Sequence, residues 1–144
     1  MSKVVLITGG SSGIGKSIGE FLNMRGFIVY GTSRQPEKYQ DSKFPILALD
    51  VKDVGSIKHL TKTIIEKEGR IDVLINNAGV GITGPIEEIP EEEIKANFET
   101  NFFGPINLIK SVLPLMREQK SGLIINITSI AGYMGFPYRG IYSA

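Results

Sequence analysis

The chain has 144 residues, 42% of them hydrophobic, 22% charged and 8% aromatic, which suits one domain that buries roughly two-thirds of its unfolded surface. Sixteen Lys and Arg stand against 15 Asp and Glu, a net charge of +1, so no basic field is present to hold nucleic acid or an anionic membrane. The lack of cysteine excludes disulfides, thiolate metal sites and Cys nucleophiles, and no run approaches the ~20 apolar residues of a membrane span. The first residues carry no long apolar segment of a secretory signal, so the expectation is a cytoplasmic protein.

Val4-Val5-Leu6-Ile7 is an apolar, β-branched run that ends at Gly9-Gly10. It predicts a strand buried on both faces, as a parallel sheet requires. Ile14, Ile18, Phe21 and Leu22 then recur at helical spacing, and Gly26 closes the segment. Phe27 to Tyr30 predicts a second strand, followed by a polar loop through Pro36. Pro45 to Leu49 predicts a third, with Asp50 at its end. Ile57, Leu60, Ile64 and Ile65 mark one face of a second helix, and Asp72 to Ile75 a fourth strand. Gly79 to Pro90 reads as a loop. A long helical region follows, with Ile94, Phe98, Phe102, Ile106, Ile109 and Leu113 among its apolar positions. Leu123 to Ile127 predicts a fifth strand, after which the tail turns loop-like. Strands alternating with helices make βαβ units, and right-handed crossovers lead to an α/β doubly wound parallel sheet in one domain, 1–144.

The turn after the first strand, Thr8-Gly9-Gly10-Ser11-Ser12-Gly13-Ile14-Gly15, leads straight into a helix. Glycines there allow a tight turn and close approach of backbone to ligand, and the helix N-terminus offers free N–H groups to a phosphate. Two readings fit this stretch. Gly10 to Ser17 also satisfies G-x-x-x-x-G-K-[ST], in which Lys16 would reach the β and γ phosphates of a nucleotide and Ser17 would hold Mg²⁺. Local residues do not separate the two.

Further along, Asn76-Asn77-Ala78-Gly79 follows the fourth strand, Asn101 lies in the long helix, and Asn126-Ile127-Thr128-Ser129 closes the fifth strand. Tyr142 comes thirteen positions after Ser129 and opens Tyr142-Ser143-Ala144. In this order, with Thr8-Gly9-x-x-x-Gly13-x-Gly15, these motifs make the chain similar to the short-chain dehydrogenase/reductase family, which the P-loop reading does not explain. The resemblance implies a Rossmann fold with strand order 3-2-1-4-5, incomplete at its C-terminal end. It also implies reversible hydride transfer between a nicotinamide and a small carbonyl or alcohol substrate. Tyr142 would be the general acid and base, Ser129 would orient the substrate oxygen, and Asn101 would support a water chain toward a Lys. That Lys would fall two residues beyond Ala144, so the chain reads as a truncated, weakly active or inactive cofactor part. Binding of NADP(H) without catalysis is the alternative, and the longer family protein would be a homo-oligomer.

By the same resemblance Thr8, Gly9, Ser11, Ser12, Gly13, Ile14 and Gly15 would cradle the cofactor. Asn77, Ala78 and Gly79 would lie against its ribose, and Asp50 with Val51 would meet the adenine. In dinucleotide-binding sheets an acidic residue about 20 positions past the glycines takes the ribose 2′-OH. Here Thr32-Ser33-Arg34 stands there instead. Arg34 can pair with a 2′-phosphate, so Ser33 and Arg34 point to NADP(H). Tyr133, Met134, Phe136 and Pro137 are expected to wall the substrate pocket. His59 reads as a surface residue, no metal site is expected, and Glu87 to Glu93 reads as a solvated helix start.

Overall fold

The computed structural model describes residues 2–144. Five strands, β1 (Val4–Ile7), β2 (Ile28–Ser33), β3 (Ile46–Ala48), β4 (Val73–Asn76) and β5 (Leu123–Asn126), form one sheet in the order β3-β2-β1-β4-β5. Every neighbouring pair is parallel. Helices α1 (Gly13–Met24), α2 (Val54–Glu68), α3 (Glu91–Phe98) and α4 (Gly104–Glu118) connect them, and a short α5 (Gly140–Ser143) ends the chain. The expected doubly wound fold is present, with its reversal of strand order beside β1. Among the described residues no helix is long and apolar enough to cross a membrane.

The alternation within β1 explains why its run is apolar throughout. Val4 and Leu6 enter the cluster on the α2 and α4 side, with Ile57, Leu60, Ile64, Leu108, Val112 and Met116. Val5 and Ile7 enter the cluster on the α1 side, with Val29, Phe44, Val73 and Ile75. Helices on both faces leave this central strand no solvent side. By contrast β5 pairs with β4 alone among the described residues, and Leu123 and Ile127 are 53% and 38% exposed.

Local chemistry sets the element ends. Asp53 caps α2 by accepting the Gly55 N–H at 2.7 Å, and Gly69, with φ +71°, ends it in the left-handed conformation. The structure starts β2 one residue later and carries it three residues further than expected, because Thr32 and Ser33 still pair with β3. It also corrects the α1 stripe. Ile18 and Leu22 pack on the core, but Ile14 and Phe21 are 62% and 49% exposed. The expected loop-like tail instead holds a 3-10 turn (Ile130–Gly132) and α5. As expected, Glu91, Glu92 and Glu93 open α3 and His59 is exposed, while Glu87 and Glu88 lie in the turn before Pro90 and outside the helix.

One buried charge ties the sheet entrance together. Asp72 accepts the Val4 N–H at 2.8 Å and the Arg70 Nε at 2.9 Å. Burial pushes its pKa up, but the Arg70 and Val4 hydrogen bonds and the charges of Arg70 and Lys3 outweigh it, so the carboxyl sits below the usual range. A folded value below the unfolded one adds stability above pH ~4, and that stability is lost as pH falls toward the folded value. Asp72→Asn should therefore cost about 2 kcal/mol at neutral pH and flatten the acid limb of the profile. Urea unfolding from pH 2 to pH 7 measures both.

Candidate active site

The site lies at the carboxyl ends of the strands, where β2, β1, β4 and β5 are stitched together by side chains. Thr8, at the end of β1, is buried, and its Oγ1 accepts the N–H groups of Asn77 and Ala78 at 3.0 and 2.9 Å. Asn77 returns its Nδ2 to the carbonyls of Thr8 and Gly9 at 3.0 and 3.2 Å. The Gly9 N–H donates to Thr32 Oγ1 on β2 at 3.2 Å. Asn76 Nδ2 bonds Asn126 Oδ1 at 2.9 Å and joins β4 to β5. The Asn-Asn pair after β4 thus divides its work, one residue bracing the sheet and the other the glycine turn.

Glycine is required in that turn for two reasons. Gly9 and Gly13 have φ of +63° and +52°, which other residues adopt at a cost. A side-chain carbon at Gly10 would fall 2.7 Å from Gly31 Cα, and one at Gly15 would fall 2.5 Å from Asn77 Nδ2. Outward of Gly13 there is no protein atom within 4 Å. Ser12 precedes α1 with no side-chain bond to the first N–H groups, so the open face of the turn carries unpartnered donors. These residues fit a dinucleotide phosphate. Lys16 is exposed and the Ser17 hydroxyl donates back to the Gly13 carbonyl at 3.2 Å, an arrangement that turns Ser17 into its own helix.

Two cavities open from the turn. The larger, about 910 Å³, has Gly9, Ser11, Ser12, Ser33, Arg34, Asp50 and Val51 on its wall. Arg34 is exposed and makes no salt bridge among the described residues. Ser33 Oγ accepts the Gln35 N–H at 3.1 Å, and Asp50 Oδ1 accepts the Lys52 N–H at 3.0 Å. Val51 is buried and lies against Gly104, where a side-chain carbon would fall 3.1 Å from the Val51 Cβ.

The smaller cavity, about 590 Å³, brings Asn101, Ser129 and Tyr142 to one wall with Ile14, Asn77 and Gly79. Ile14 is thus on the site rather than in the core. Ser129 Oγ accepts the Ala131 N–H at 3.1 Å and caps the 3-10 turn. Tyr142 is half-buried on α5, with the Arg139 guanidinium carbon 5.5 Å from its ring centre. Asn101 sits in a π-helical turn, Glu99–Phe103, between α3 and α4. Its side chain grips the Val80 peptide, accepting from N–H at 2.9 Å and donating to the carbonyl at 2.8 Å. That amide is occupied by protein backbone.

The expected apolar wall lies elsewhere. Tyr133, Met134, Phe136 and Pro137 do not line the cavity, and Tyr133 is 92% exposed, because the 3-10 turn carries this segment outward. Phe98, Phe102, Pro105, Ile106, Ile109 and Ile127 form the apolar side instead. Asn97, Thr32 and Arg139 were missed by the sequence reading. Asn97 had a usable signal, since it stands four residues before Asn101 on the same helical face.

A parallel doubly wound sheet with a glycine turn beside the reversal of strand order defines the Rossmann class. Within that class the family model described as short chain dehydrogenase matches residues 3–144, and the chain belongs to that family of oxidoreductases. It is 50% identical over 142 residues to a protein of Bacteroides thetaiotaomicron named 3-ketodihydrosphingosine reductase, covering 99% of this chain and 52% of that one. A short-chain dehydrogenase of Streptomyces avermitilis superposes with a TM-score of 0.93 at 38% identity, over 99% of this chain and 55% of the other. ElxO with NADP bound superposes with a TM-score of 0.91 at 35% identity, over 99% and 62%. The chain spans about half the length of the curated relatives it matches. The family assignment displaces the P-loop reading of Gly10 to Ser17.

Proposed function

We propose that the chain forms the cofactor-binding part of an NADP(H)-dependent oxidoreductase acting on a carbonyl or alcohol carbon. The observation that carries this reading is the meeting of Asn101, Ser129, Tyr142 and the Asn77 to Gly79 segment on the wall of the 590 Å³ cavity. The glycine turn holds the pyrophosphate on the N–H groups of α1, and Arg34 with Ser33 receives the 2′-phosphate. Asp50 and Val51 flank the adenine, and Asn77, Ala78 and Gly79 the ribose near the reacting end. When bound, the nicotinamide supplies or accepts the hydride.

The chain's own part is proton transfer and placement. Tyr142 donates its phenolic proton to the carbonyl oxygen in reduction and takes it back in oxidation. Ser129 accepts the Ala131 N–H, which leaves its hydroxyl hydrogen to donate to the same substrate oxygen. Asn101 acts by holding the Val80 peptide. The apolar side built from Phe98, Phe102 and Ile106 suits a ketone on an apolar chain, in keeping with the name of the Bacteroides relative.

Thermal unfolding with NADPH, NADH and MgATP in parallel tests the reading. At ~100 times its Kd, NADPH should add about 2.7 kcal/mol, with little from NADH and none from MgATP. Oxidation of that NADPH by a long-chain ketone then tests turnover. A shift with NADH equal to that with NADPH overturns the cofactor assignment, and no shift overturns the site.

A further inference from the structure

Asn97 is 5% exposed on the last turn of α3. A buried amide is costly unless its groups are matched. Its Nδ2 donates to the Val80 carbonyl at 3.1 Å, and its Oδ1 accepts from Asn101 Nδ2 at 3.2 Å. Asn101 holds both backbone groups of the same residue, so the Val80 carbonyl is bound by two side-chain amides and its N–H by one. Neither amide can flip. The Val80 N–H requires the Asn101 oxygen, and Asn97 Oδ1 gives the Asn101 nitrogen its second acceptor.

Position gives this triangle its consequence. Ala78, Gly79, Val80, Gly81 and Asn97 line both cavities and form the wall they share. Arg34 belongs to one cavity, and Ser129 and Tyr142 to the other. A ligand that reaches from Arg34 to Tyr142 has to pass this wall.

We propose that Asn97 is a positioning residue which, through Asn101, fixes the Val80 peptide and with it the surface under the nicotinamide half of the cofactor. The cofactor half of this inference rests on the function proposed above. The orientation of Asn101 by Asn97 does not.

Hydrogen exchange at the Val80 amide and titration with two ligands test it in Asn97→Leu. One ligand is NADPH, and the other is 2′,5′-ADP, which has the adenine and 2′-phosphate but no nicotinamide. Val80 exchange should rise about tenfold and NADPH affinity fall about tenfold, the worth of one buried hydrogen bond, while 2′,5′-ADP binds as before. Unchanged exchange at Val80 overturns the inference. Equal weakening of both ligands overturns it too, because that is general loosening. If the unsubstituted chain binds neither ligand, the proposed function fails, and Val80 exchange still decides the link to Asn101. Should Asn97→Leu not fold, Asn97→Asp keeps the acceptor that orients Asn101, so Val80 exchange should stay near that of the parent, and a rise as large as that in Asn101→Leu overturns the coupling. Exchange at Val80 in Asn97→Leu combined with Asn101→Leu should match that of Asn101→Leu alone, and additive effects overturn the coupling.

Discussion

Gly15→Ala is expected to remove cofactor binding and to cost about 3 kcal/mol of stability, an overpacking effect at the upper end of its usual range. The added methyl would collide with the Gly9 carbonyl oxygen and stand 2.5 Å from Asn77 Nδ2. Both partners are fixed. Gly9 is tied to Thr32, and Asn77 to Thr8 and Gly9, so α1 must move off the turn instead. Helix and turn together present the phosphate donors, and their separation should weaken NADPH by more than about 100-fold. Gly26→Ala is the control. Its φ of +82° predicts strain, but open space surrounds it, away from the cavities. It should cost about 1–2 kcal/mol and leave ligand affinity alone. Calorimetric titration and urea unfolding of the two variants give the comparison. NADPH binding in Gly15→Ala equal to that of the parent would contradict the turn's role.

Arg34→Ala should lower NADPH affinity by about 10- to 100-fold and leave NADH affinity unchanged. The side chain is exposed at the end of β2 with no carboxylate paired to it among the described residues. It is therefore available for a bidentate contact with a phosphate. Because the site is open to solvent, the preference for NADPH should shrink as salt is raised and the pair is screened. An affinity ratio that ignores both salt and the substitution would place the preference elsewhere, with Lys52 on the same cavity wall as the next residue to change.

The sheet was legible because burial on both faces writes itself into β1 and β4 as unbroken apolar runs. Ends of elements were less so. Whether Thr32 and Ser33 continue β2 depends on pairing with β3, which no local pattern reports. Phe21 shows the same limit from the other side. It has helical spacing, yet half of it faces solvent beside Arg25, whose guanidinium carbon lies 4.6 Å from its ring centre. In the site, Ser129, Tyr142 and the glycine turn were readable from motif order. The work of Asn101 was not, because its partner is the backbone of Val80, twenty-one residues earlier, and backbone partners leave no trace in residue identity. The failed apolar wall at Tyr133 to Pro137 has a related cause. The family resemblance marked that loop as a candidate pocket wall, but the 3-10 turn that aims its residues outward depends on the Ser129 cap.

The π turn at Glu99–Phe103 acts as a phase shift between two helices. A turn wider than 3.6 residues holds one residue more than an α-helix would, so α3 and α4 follow one another without sharing a register. The acidic, half-exposed α3 can face the Val80 loop while α4 turns Leu108, Val112 and Met116 to the sheet. Removing one residue from this turn would let a continuous α-helix form and rotate one side by about 100° against the other. Either the amide grip on Val80 or the apolar stripe on the sheet would then be lost. Length in this short segment is therefore constrained as tightly as residue type, and a deletion here should be worse tolerated than any single substitution within it.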